Sequence, residues 1–244
     1  MLWVDQVSVS LANNKILDRI DLQALPGEVT VIIGPNGSGK STLMRAMSGD
    51  IPYEGKILLN GHDIKTLKPW DLASKRAVLP QKSILAFPFT VEEVVHIGLR
   101  NGIGAQTTTI IYDALSSVGL SAYAQRQYAE LSGGEQQRVQ LARVLAQVWT
   151  PYEMGQARWI FLDEPVSSLD IAHQIDVINI AKEYARSGGG VIAIMHDLNL
   201  TSMVANKMAI LHRGKTLCQG VPKDVMTDNW LSHAYECDLR VNTS

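Results

Sequence analysis

A chain of 244 residues is long enough to bury a sizeable core, and 46% hydrophobic residues, 19% charged residues and 19 glycines are the make-up of a folded globular protein. Disorder, collagen and disulfide scaffolds are thereby excluded. Twenty-two Lys and Arg stand scattered against 24 Asp and Glu, a formal charge of −2 that gives no electrostatic drive toward nucleic acid or anionic lipid.

The chain opens on β-rich runs, Leu2 to Val9, Ile20 to Leu25 and Lys56 to Asn60, bounded by Asn-Asn, Pro-Gly and Asn-Gly turn signals, which predict a small antiparallel sheet. Four other runs are apolar throughout: Val29 to Ile33, Trp159 to Leu162, Val191 to Met195 and Met208 to Leu211. Strands buried on both faces of a parallel sheet read this way. From about Val91 to Val148 the pattern turns helical, with Val139, Ala142, Leu145, Ala146 and Val148 on one side. Gly98 to Thr109 and Thr150 to Arg158 read as loops, and the eight methionines as core filler. The resulting fold class is α/β.

The run Gly34, Pro35, Asn36, Gly37, Ser38, Gly39, Lys40, Ser41, Thr42 follows one apolar strand and precedes a helix-compatible segment. That is G-x-x-x-x-G-K-[ST] in its strand–loop–helix setting. Glycines let successive N–H groups curl toward phosphate oxygens, and the helix N-terminus adds about half a positive charge. Lys40 is expected on the β- and γ-phosphates, and the Ser41 hydroxyl on Mg²⁺. The strand Trp159 to Leu162 ends in Asp163-Glu164-Pro165, two adjacent carboxylates at the edge where α/β sheets bind ligands. Neighbours on a strand point to opposite sides, which gives Asp163 to the metal, through water, and Glu164 to the attacking water. Ser132 is a good N-cap for the helix running to about Val148, leaving the amides of Gly133 and Gly134 free for a second anion.

In chain order Gly34 to Thr42, Gln81, Leu131-Ser132-Gly133-Gly134-Glu135-Gln136, Asp163-Glu164, Ser167 to Asp170 and His196 resemble the motifs of ATP-binding-cassette ATPases, and the resemblance covers nearly the whole chain. It implies a P-loop NTPase cassette fold: a mostly parallel core sheet, a small antiparallel β-subdomain and an inserted helical subdomain. The implied division is one domain, 1–244, with residues 1–88 and 150–244 as catalytic core and 89–149 as helical subdomain. It further implies a homodimer in which Ser132, Gly133, Gly134, Glu135 and Gln136 of one copy face ATP held on the phosphate loop of the other. Gln81 then senses the γ-phosphate and Mg²⁺, Asp170 crosses the dimer interface, and His196 bonds the γ-phosphate. The family usually places an aromatic side chain on adenine before the phosphate loop. Leu11 stands there instead; Trp3 is the alternative aromatic for adenine, and a packing role is the preferred reading for it.

Chromosome and repair members carry long coiled coils between phosphate loop and signature, whereas Ser132 lies 92 positions after Lys40 here with no sustained heptads. Translation-linked members carry two cassettes, and a binding-only regulator would be expected to lose Glu164 or His196. The expectation is therefore a transporter motor. Leu85 to Val95 is similar to importers of the iron-siderophore, vitamin B12 and heme group, and Leu131 to Trp149, the loop Thr150 to Arg158 and Met195 to Leu200 look most like its heme members, with heme the first expectation and ferric siderophore or vitamin B12 the alternatives. Such a machine has two transmembrane permease subunits and an outer substrate-binding protein. This chain would touch neither heme nor nucleic acid. No apolar run approaches the ~20 residues of a spanning helix, and Met1 to Asp5 lack a basic-then-apolar signal. Cys218 and Cys237 show no zinc spacing and read as free thiols in a reducing compartment. The expected place is the cytoplasmic face of the inner membrane, held there by partners. Residues 221–244 receive no role.

Overall fold

A computed structural model describes residues 1–12, 14–81, 85, 87–99 and 107–241. Strands β1 (Leu2–Leu11), β2 (Asn14–Ala24), β4 (Glu54–Leu59) and β5 (His62–Asp63) form an antiparallel sheet in the order β2-β1-β4-β5. The core sheet takes β3 (Val29–Ile33), β6 (Arg76–Leu79), β9 (Trp159–Asp163), β10 (Gly190–Ile194), β11 (Lys207–His212) and β12 (Lys215–Gly220) in the order β12-β11-β3-β10-β9-β6. Only β12 runs antiparallel.

Each central strand serves two cores. Val29, Val31, Ile33, Ile160, Leu162, Val191 and Ala193 face a layer of helices: α3 (Val91–Leu99), α4 (Thr107–Ser117), α5 (Gly133–Gln147) and α6 (Ile171–Arg186). Ile32, Trp159, Phe161, Ile192 and Ile194 face helix α1 (Lys40–Ser48) and the antiparallel sheet. Both faces being dry is what makes these strands read as unbroken apolar runs. Of the remaining helices, α2 (Pro69–Lys75) and α7 (Leu198–Val204) lie between strands, and α8 (Pro222–Val225) and α9 (Asp228–Tyr235) follow β12.

Several details differ from the sequence expectation. Strand β6 and helix α2 lie where none was expected. Thr150 to Arg158 contains a hairpin, β7 (Tyr152–Glu153) with β8 (Gln156–Ala157), turned by Met154 and Gly155 at φ 50° and 79°. Positive φ at both central residues is the turn geometry that matches strand twist. The first part of the expected loop 98–109 belongs to α3 and the last part to α4, while residues 100–106 lie outside the described residues. The methionines are not uniformly core: Met44, Met47, Met195 and Met208 are buried, but Met154 is 95% exposed. Both cysteines are free.

Candidate functional site: a phosphate loop beside a carboxylate cluster

The loop between β3 and α1 closes through Ser38 N–H donating to the Pro35 carbonyl at 3.2 Å and Leu43 N–H to the Gly39 carbonyl at 2.8 Å. Its glycines are forced. Gly34 sits at φ 146°, and a Cβ there would lie 2.1 Å from the Leu211 carbonyl oxygen; Gly39 sits at φ 102°, with Leu17 2.6 Å from a Cβ. The turn after β11 thus backs the loop, and Gly214 N–H donates to the Ser38 carbonyl at 3.1 Å. Gly34→Ala is expected to destabilise the chain by roughly 2–4 kcal/mol, since the obstacle is backbone and the φ is strained. Urea unfolding measures it, and an unchanged midpoint would contradict this packing.

Lys40, 6% exposed, donates from Nζ to the carbonyls of Gly34 at 2.8 Å and Pro35 at 3.0 Å. Burial holds its pKa below the usual lysine range, opposed by the charges of Glu164 and Asp163. The buried Ser38 hydroxyl has no hydrogen-bond partner among the described residues. A buried donor without a partner inside a ring of backbone amides fits a phosphate oxygen.

Behind the loop, the Ser41 hydroxyl donates to Asp163 Oδ1 at 3.4 Å. Burial raises the Asp163 pKa, while the Ser41 hydrogen bond and Lys40 oppose the rise. Glu164 turns the other way. Its Oε2 accepts from Gln81 Nε2 at 2.8 Å, and its Oε1 lies 2.6 Å from His196 Nε2. The two acids do diverge, but not by strand alternation alone. The strand ends at Asp163, one residue earlier than Pro165 requires, and Glu164 sits in the left-handed region at φ 53°. Its N–H still donates to the Ile194 carbonyl at 3.1 Å, and its carbonyl accepts from the Ser167 hydroxyl at 3.2 Å and from Gln137 Nε2 at 3.2 Å. Sequence reasoning missed Gln137 and the role of Ser167.

Ser132 caps α5 in a reciprocal box: Glu135 N–H donates to its hydroxyl at 3.3 Å, and Glu135 Oε2 accepts from the Ser132 N–H and hydroxyl, both at 2.8 Å. The hydrogen bond from the Ser132 hydroxyl lowers the Glu135 pKa. Ser132 and Gly133 are exposed, and Gln136 donates from Nε2 to the carbonyls of Tyr128 and Leu131 at 3.2 Å. Asp170 caps α6 by accepting from His173 N–H at 3.0 Å, and this bond lowers its pKa. Within the chain, then, Lys40, Ser41, Asp163, Glu164, Gln81 and His196 converge, whereas Ser132, Gly133 and Asp170 are exposed, Gly134 and Glu135 are half-buried and Gln136 turns back onto its own chain. Leu11, 38% exposed, lies at the end of β1, paired with Asn14 of β2, the strand whose Leu17 lies close to Gly39. Trp3 is not a buried packing residue: it is 42% exposed, and it sits at the opposite end of β1 from Leu11.

A family model described as ABC transporter matches residues 17–167. The chain belongs to the ABC transporter family. It is 59% identical over 244 residues to a hemin import ATP-binding protein HmuV of Jannaschia sp. (strain CCS1), covering 100% of this chain and 90% of that one. A protein of the same name from Roseobacter denitrificans is 57% identical, with 97% and 91% covered. The ADP conformation of an ATP-binding cassette from an ABC transporter superposes with a TM-score of 0.81 at 24% identity, over 97% of this chain and 98% of that one, a likeness of fold. The chain is therefore the ATP-binding, ATPase part of a transport machine, and membership of this family implies membrane permease partners. Among the described residues no helix is long and apolar enough to cross a membrane.

Proposed function

We propose that this chain hydrolyses ATP to drive heme import, as one half of a homodimer seated on two permease subunits at the cytoplasmic face of the inner membrane. The observation that carries the hydrolytic reading is the convergence of Gln81 and His196 on the two oxygens of one carboxylate, Glu164, beside the Lys40 loop. The heme reading rests on the two relatives named for hemin import. Ferric siderophore and vitamin B12 are the alternative cargoes.

In this reading Gly34, Pro35, Asn36, Gly37, Ser38, Gly39, Lys40, Ser41 and Thr42 hold the triphosphate, with Lys40 moving from the Gly34 and Pro35 carbonyls to phosphate oxygens. Glu164 accepts the proton of the water that attacks the γ-phosphorus, ADP leaves, and His196 and Gln81 hold that carboxylate in line. The donors around Ser41 fit Mg²⁺: a hydroxyl, a buried carboxylate and the Gln81 side-chain oxygen are hard oxygen ligands. Asp163 would reach the ion through water, and phosphate oxygens would complete the set. When bound, Mg²⁺ neutralises charge developing on the phosphates.

The cap of Ser132, Gly133, Gly134, Glu135 and Gln136 reaches the γ-phosphate held by a second copy, and Asp170 meets that copy at the interface. A two-fold dimer satisfies both helix N-termini with two identical sites. Residues 89–149 act as a helical unit against a core of 1–88 and 150–244. Two ATP favour the closed dimer, closure moves the permease through the region from Gln81 to Val95, and hydrolysis reopens it. Ala86 and residues 82–84 of that region lie outside the described residues. An outer binding protein delivers heme, which this chain does not touch, and no nucleic acid takes part.

Adenine packs on Leu11 through apolar contact. Leu11→Tyr is expected to tighten ATP binding roughly threefold to tenfold by adding a stacking face, as read by calorimetric titration. The cargo reading is tested by reconstituting the chain with its native permease in liposomes. Binding protein loaded with heme should stimulate ATPase activity, and the same protein system loaded with ferric siderophore or cobalamin should not. Stimulation by another cargo alone would overturn the heme reading.

A further inference from the structure

Glu164 is held at a positive φ, a conformation that a glutamate does not favour and that persists only where its surroundings impose it. One of the groups holding its carbonyl is not local. Gln137 Nε2, on the first turns of α5, donates to it at 3.2 Å across 27 residues of sequence. This is the amide's only hydrogen bond among the described residues, and its Oε1 is buried without a partner. A half-satisfied amide whose oxygen is buried is a poor choice for stability. Turning it over would set two acceptors face to face, so the carbonyl of Glu164 fixes which way it points.

We propose that Gln137 is a positioning residue: it ties the backbone of Glu164 to helix α5, so that the carboxylate is set for hydrolysis only while α5 occupies the position in which it presents Ser132 and Gly133. The same helix would thus read ATP on the second copy at its N-terminus and hold the hydrolytic carboxylate of its own chain five residues later. Engagement at one composite site then conditions hydrolysis at the other. This rests on the proposed role of Glu164 and on the shared site.

The experiment compares the full chain with Gln137→Met, which keeps length and packing and removes the donor, and Gln137→Lys, which keeps a donor. In Gln137→Met, kcat is expected to fall on the order of tenfold, the loss of one hydrogen bond, with KM for ATP within about twofold and the Hill coefficient for ATP falling to one. Its melting midpoint is expected to hold or rise, because an unsatisfied buried oxygen is gone, whereas a purely structural role would lower it. Gln137→Lys should recover most of the rate. Unchanged kcat and Hill coefficient in Gln137→Met, or no recovery in Gln137→Lys, would overturn the proposal. Should the Met variant fail to fold, Gln137→Leu carries the same outcomes. Glu164→Gln is run alongside: normal turnover there removes the hydrolytic reading itself, while a dead Glu164→Gln beside a normal Gln137→Met removes only the coupling.

Discussion

Glu164→Gln is expected to slow ATP hydrolysis by roughly 10²- to 10⁴-fold while leaving ATP bound. The geometry is conserved by this change. The amide oxygen still accepts from Gln81 Nε2, now 2.8 Å from Oε2, and the new NH₂ meets His196 Nε2, now 2.6 Å from Oε1, with the ring in the tautomer that accepts. What is lost is the basicity that takes the proton from water. A negative charge facing the γ-phosphate is lost as well, so the ATP-bound dimer should persist rather than reopen. Phosphate release measured at steady state, with size-exclusion chromatography in ATP and Mg²⁺, checks both parts. Wild-type turnover, or a chain that stays monomeric in saturating ATP, would contradict them.

Lys40→Ala is expected to weaken ATP binding by about 100-fold, roughly 2.7 kcal/mol. The ammonium is buried at the head of the loop and already bonded to two of its carbonyls, so exchanging those acceptors for phosphate oxygens needs little movement. Burial also depresses its pKa, a destabilised charge that an anionic ligand would relieve. Titration with a fluorescent ATP analogue reads the loss, and the rise in melting midpoint on adding ATP should vanish with it. An unchanged dissociation constant would remove the phosphate-loop assignment.

The parts legible in the sequence were those fixed by local chemistry. Val29 to Ile33 has no polar interruption apart from Thr30, and the glycines after it have φ values that other residues resist, so strand, loop and helix could be read from spacing alone. Ser132 with Glu135 three positions later is likewise a local signal, and the structure adds the reciprocal bond. Strand β6 was missed because Arg76 to Leu79 is only four residues long and half of them are partly exposed, although it leads directly to Gln81. Helix α2 carried a readable start in Pro69 at its first position, overlooked because only Leu72 among its residues is buried. Strand β12 is half-buried along its length and so lacks the apolar run of its neighbours.

Within the site the limit is of another kind. The left-handed turn at Glu164 sits where nothing but glutamate is written, and it follows from hydrogen bonds to Ile194, Ser167 and Gln137, two of them far away in the chain. Gly34 announces a phosphate loop, but that its hydrogen faces the Leu211 carbonyl is a tertiary fact. Trp3 could be taken for a packing residue from its type; its exposure is set by the fold.

The central claim is that one hydrolytic centre is assembled from two chains, the loop of Lys40 from one and the cap of Ser132 from the other. Mixing two inactive variants, Lys40→Ala and Ser132→Arg, tests it most directly. In the mixed dimer the Ser132→Arg chain still offers an intact phosphate loop and the Lys40→Ala chain an intact cap, so one complete site forms. Dimers holding one ATP should appear on mixing in ATP, read by size-exclusion chromatography with bound-nucleotide analysis, although neither variant alone dimerises. No dimer at any mixing ratio in saturating ATP would contradict a site shared between chains.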